Sequence, residues 1–208
     1  MPATTMPRSR HDAPVVQSVE LVLDEALDAR VRAQWRVLAQ AGLPNLGRHT
    51  GPSNRPHVTL VVATGVGPEH EERLAVALGS AGAAGAPVPL QLLLGGYVVF
   101  GTHRHVLARL VVPSARLLDL QQRAWAAWEG VLERPETVTP GRWTPHVTLA
   151  KHLTDTQVAQ ALTALRAGPG PDADRPGRTR QADEGHAVAV RRWDGERRVD
   201  WQVASALR

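Results

Sequence analysis

The sequence predicts an α+β fold, and its spacing permits two pseudo-symmetric lobes, each an antiparallel sheet with outer helices. Three observations point there. The string Pro-His-Val-Thr-Leu occurs twice, at residues 56–60 and at 145–149. The periodicity around each copy repeats approximately: a helical stretch, the motif strand, a second helical stretch, then paired strands. A chain of 208 residues is long enough for two small lobes sharing one sizeable core.

Residues 1–14, rich in Pro, Thr, Arg and Ser, predict a disordered tail, and residues 15–208 a single bilobal domain. Residues 15–23 alternate loosely and read as a strand. Asp24 opens a helix through Ala41, with Ala26, Val31, Trp35, Leu38 and Ala39 near the helical period; Gly42 and Pro44 end it. Trp35 reads as core. A polar loop over 44–56 carries Arg48, His49, Asn54 and Arg55. The first motif strand follows at 57–63, then a helix at 69–78 whose acidic first turn suits the dipole. A small-residue linker over 79–87 leads to strands at 88–100 and 105–112, joined as a hairpin.

Ser114 reads as the N-cap of a helix over 115–132. A Pro-rich loop over 133–144 matches the one before the first motif. The second motif strand covers 146–151. Regular alternation turns Lys151 away from His146 and returns His152 to its face. Thr154 or Asp155 caps a helix to Arg166. Residues 167–184 read as a mobile loop. Strands at 187–192 and 197–203 flank Asp194-Gly195, a strong hairpin signal. Arg191, Arg192, Arg197 and Arg198 cluster there, either as a solvated sheet end or as an RNA-facing patch.

Alternation along a strand puts His57 and Thr59 on one face and Val58 and Leu60 on the other. The same holds for His146 and Thr148 against Val147 and Leu149. Each motif therefore buries two apolar side chains and offers an imidazole beside a hydroxyl. One His-x-Thr alone reads as a half-buried strand residue; duplication at matching strand starts points to a site. Two such pairs across a cleft suit phosphodiester chemistry. One imidazole takes a proton from water or a hydroxyl, the other gives one to the leaving oxygen, and the hydroxyls donate to non-bridging phosphate oxygens without a metal. Sequence leaves open which histidine takes which part.

Four flanking residues are candidate substrate contacts: Arg55 before the first motif, Arg142 and Trp143 before the second, and Phe100 bordering the cleft. His103 and His105 stand at a spacing that could grip a metal, but no acidic or cysteine partner lies near them in sequence. No metal site and no cofactor is expected.

The chain has no cysteine, which excludes disulfides, thiolate nucleophiles and cysteine metal sites. Its formal net charge is +4, its pI is near 10.8, and Lys151 is the only lysine. An arginine-rich surface favours phosphate-bearing partners, although compositional bias accounts for the overall charge equally well. Residues 1–14 do not form a signal peptide, and no apolar run approaches a membrane span. The expectation is a cytoplasmic protein with no membrane contact.

Paired H-x-T-x motifs, one per half of the chain, resemble the two-histidine phosphoesterase superfamily, which includes bacterial 2′-5′ RNA ligase-like proteins and 2′,3′-cyclic phosphodiesterases. The second copy with its flanks, Trp143-Thr144-Pro145-His146-Val147-Thr148-Leu149-Ala150, is similar to the bacterial branch in particular. By element order the resemblance spans residues 15 to 204; its specificity lies in the two motifs. It implies a central cleft carrying one H-x-T-x motif per lobe, with His57 and His146 catalytic and Thr59 and Thr148 holding phosphate. It further implies a phosphodiesterase opening the 2′,3′-cyclic phosphate of a nucleotide or RNA end to a 2′-phosphate. The alternatives are 2′-5′ RNA ligation, a phosphoesterase for a nucleotide-derived metabolite, and an RNA-binding module with an idle site. The expected partner is a nucleotide or RNA with a cyclic phosphate, and the expected state is a monomer.

Overall fold

The structure is a computed structural model describing residues 15–49, 51, 53–79, 86–131, 133–167 and 183–206. The expected tail over 1–14 and most of the expected loop over 167–184 lie outside the described residues.

Seven strands form one antiparallel sheet: β1 (Gln17–Leu23), β2 (His57–Ala63), β3 (Leu90–Phe100), β4 (His105–Val111), β5 (His146–Leu153), β6 (Asp183–Asp194) and β7 (Val199–Ser205). The hydrogen-bonded path runs β2-β1-β6-β3-β4-β5, and β7 pairs with the far part of β6. The path reads alike from both ends. Its halves meet where β3 pairs with residues 183–187 of β6, from Leu94↔Asp183 to Leu90↔Ala187. The two lobes are thus two halves of a single sheet. The end of the expected mobile loop belongs to β6, because residues 183–186 find backbone partners on β3.

Four helices cover the sheet: α1 (Glu25–Gln40), α2 (Pro68–Gly79), α3 (Ala115–Ala127) and α4 (Asp155–Ala167). Asp24 caps α1 by accepting from Leu27 N, and Ser114 caps α3 by accepting from Leu117 N. Thr154 Oγ1 accepts from Gln157 N at the start of α4, so Thr154 is the cap. α3 stops at Ala127, short of the expected residue 132, where Trp128 caps it and Gly130 takes φ +85°. Trp35 and Trp128 are core residues.

The motif strands are the two ends of the path. The sheet curls until β2 and β5 approach within 8 Å, Cα to Cα, without joining by strand hydrogen bonds. Val58, Leu60, Val147 and Leu149 are buried, as the alternation requires. Each such burial contributes about 2 kcal/mol to holding the strands down.

An end strand leaves backbone groups unpaired on its outer side. Here side chains from the opposite half satisfy several of them. Trp143 Nε1 donates to Thr59 O at 3.1 Å, and Gln121 Nε2 of α3 donates to Leu60 O at 3.4 Å. Trp35 Nε1 of α1 donates to Thr148 O at 3.2 Å. These bonds fix each motif strand to the half of the molecule that does not contain it.

Arg191 and Arg192 were expected at a solvated sheet end or an RNA-facing patch. Both are buried. Arg192 bonds Glu71 and Gln17 and lies over the Trp128 ring at 4.9 Å. Arg191 pairs with Glu20. Arg197 and Arg198 remain exposed in the turn between β6 and β7.

Candidate active site

Each motif histidine is oriented the same way. His57 Nδ1 lies 2.7 Å from Arg55 O, and His146 Nδ1 lies 2.7 Å from Thr144 O. A carbonyl only accepts, so both Nδ1 atoms carry the proton in the neutral ring, and each Nε2 is the ring nitrogen left to take up a further proton.

The two histidines differ in surroundings, and the register explains why. On the β2 side, Thr59 pairs across to Glu20 and Glu20 to Arg191. On the β5 side, the equivalent row is Thr148, Ala108 and Val98. Cross-strand partners share a face, so one half presents a charged row and the other an apolar one.

Glu20 is buried, with Oε1 3.6 Å from His57 Nε2. It accepts from Ser18 Oγ at 2.6 Å and from Arg191 Nε and Nη2 at 3.0 and 2.5 Å. Burial works against its ionisation, but the His57 and Arg191 charges and these hydrogen bonds hold its carboxyl below the usual carboxylate range. His57 therefore has a carboxylate to pair with whenever it is protonated.

His146 sits against Phe100, ring centroids 4.7 Å apart. Desolvation holds its pKa below the ordinary 6.5; the bond to Thr144 O opposes this, and positive charge on His57 and Lys151 adds to the lowering. The two motif imidazoles thus feel each other's charge.

The regular alternation of β5 does not extend to Lys151. β5 pairs out of register with β4 between Leu153↔His105 and Ala150↔Leu107, and His152 takes φ +63°. Alternation is already lost at Ala150, which is buried like Leu149, so neither Lys151 nor His152 follows the simple pattern.

The other expected contacts are distributed unevenly. Phe100 is at the site. Trp143 is beside it, with its indole N–H spent on Thr59 O. Arg55 is half exposed, its Nε 4.0 Å from Asp28 Oδ2. Arg142 is exposed and bonded to Glu136. His105 does have an acidic neighbour, absent from its sequence surroundings: Asp155 Oδ1 lies 2.5 Å from its Nε2. Among the described residues no group of three or more His, Asp or Glu is placed to hold a metal ion.

A cavity of about 540 Å³ opens beside His57, between the β1–β6 face and the loop around residues 49–54. Glu20 and Arg191 form part of its wall. Sequence reading missed both as site residues, since only the register between β1, β2 and β6 brings them to the motif.

An α+β sheet with two opposed imidazole–hydroxyl strands is the frame of a two-histidine phosphoesterase. The model of the 2′-5′ RNA ligase superfamily matches residues 23–179, well over half of the chain, and the protein belongs to that superfamily. Among solved structures, Kluyveromyces marxianus Usb1 is similar at 16% identity, covering 91% of this chain and 98% of that one, with a TM-score of 0.48. The same protein with uridine monophosphate is similar at 13% identity, covering 92% and 99%, also at 0.48. No curated protein matches the chain in sequence. Among the described residues no helix is long and apolar enough to cross a membrane.

Proposed function

We propose that the protein is a metal-independent phosphodiesterase that opens 2′,3′-cyclic phosphates to 2′-phosphates, with His146 as base and His57 as acid. The observation that carries this is the pair of proton-accepting Nε2 atoms in unlike surroundings, a carboxylate beside His57 and an aromatic ring beside His146. His146, kept neutral by its apolar setting, takes a proton from water as the water oxygen bonds to phosphorus. The bond from phosphorus to the 3′ oxygen breaks. His57, paired with Glu20 when protonated, delivers its proton to that oxygen. Thr59 and Thr148 donate to the non-bridging oxygens as charge builds there. Solvent exchange then returns both imidazoles to their starting states.

With the 5′-hydroxyl of a second RNA end in place of water, the same groups would form a 2′-5′ phosphodiester as the 3′ oxygen leaves with its proton, so 2′-5′ ligation is the second reading. Incubation of the protein with a 2′,3′-cyclic nucleotide in EDTA, followed by product analysis, tests the first. A 2′-phosphate product supports it. A 3′-phosphate product contradicts the assignment of the leaving oxygen, and loss of turnover on chelation contradicts metal independence.

A further inference from the structure

The cleft is one-sided. The 540 Å³ cavity is bordered by His57 and not by His146, whose ring is covered by Phe100. Its volume falls in the range of small-ligand sites. Trp193 lines it and lies two residues along β6 from Arg191, on the same face, so an aromatic surface stands near the motif. Ser53 and Asn54 add polar groups from the loop.

Its charges are unequal in availability. Glu20 and Arg191 compensate each other within the wall. His49 and Arg198 also line the cavity, and their side chains have no hydrogen-bond or ion-pair partner among the described residues. Arg198 is held at φ +56°, a left-handed conformation that suits glycine and strains a residue with a Cβ. Glycine would ease that turn, so the backbone gives no reason for an arginine there.

We infer that this cavity seats the nucleoside bearing the reacting phosphate, and that Arg198 with His49 holds a second phosphate on it. The substrate class is then a nucleoside cyclic phosphate carrying a further phosphoryl group, whether a 5′-phosphomonoester or the next phosphodiester of an RNA 3′ end. This rests on the reading of the cleft as a nucleotide phosphoesterase site. A guanidinium matches phosphate oxygens in geometry and charge, and the aromatic face accepts any base.

Binding of products tests it without requiring turnover. A nucleoside 2′-phosphate, the 2′,5′-bisphosphate and a dinucleotide ending in a 2′-phosphate are titrated calorimetrically into wild type and Arg198→Gly. The glycine suits the turn, so thermal melting at or above wild type confirms that the variant is folded. The second phosphate is expected to tighten wild-type binding about tenfold, an advantage falling to near one in Arg198→Gly. The better of the two longer ligands identifies the source of that phosphate. Equal binding of all three by wild type, or an advantage undiminished in the variant, overturns the inference. If the advantage holds while no cyclic nucleotide is turned over, the hydrolase reading fails and this one stands.

Discussion

At the scale of single residues, the two motif histidines are separated in function by what stands beside them. The proposed mechanism needs a neutral base at His146, whose pKa lies below 6.5. The rate therefore rises with pH through a value below 6.5 and stays high above it until the acid deprotonates. Phe100→Ala admits water to the His146 ring, removes part of the desolvation and moves the acid limb of the kcat/KM profile to higher pH. An unmoved acid limb would assign that limb to another group. Glu20→Gln removes the carboxylate facing His57 but keeps its shape. We expect kcat to fall about tenfold with KM little changed. A change confined to KM would make Glu20 a binding group. The strand positions of the motif histidines and threonines were legible because a duplicated string on a strand fixes identity and face together. Glu20 was not, since a lone glutamate in a loosely alternating strand gives no sign of its cross-strand partners. Those depend on a register that shifts between Val19 and Glu20.

At the scale of elements, motif strands at sheet ends need their open edges satisfied, and two indoles do so across the cleft. Trp143→Phe removes the donor to Thr59 O, and Trp35→Phe the donor to Thr148 O. Each change is expected to cost about 1 kcal/mol in denaturant unfolding. Each should also lower kcat/KM, because the freed carbonyl belongs to a motif threonine. Stability loss with unchanged kcat/KM would show that the strands hold their spacing without these bonds. The helices and most strands were readable from periodicity and caps. The sites of irregularity were not: the register shifts in β5 follow from pairing with β4, which no local pattern announces.

At the scale of the molecule, the two halves are joined through β3 and β6, with α1 packed over that junction. A Cβ at Gly185 would stand 2.6 Å from Leu27 Cγ and 2.7 Å from Asp24 Oδ2. Gly185→Ala is therefore expected to destabilise by about 1–3 kcal/mol and to lower the melting temperature. A wild-type melting curve would show that the junction yields without cost. The α+β class and the duplication were visible in sequence, whereas the single continuous sheet was not, because residues 183–186 resemble the loop that precedes them. The account's central claim is that His57 and His146 act together on one phosphorus atom. Turnover of a 2′,3′-cyclic nucleotide in EDTA by wild type, His57→Ala and His146→Ala measures it directly. We expect wild type to form the 2′-phosphate and each variant to lose at least about a hundredfold in kcat; equal turnover by all three proteins would contradict it.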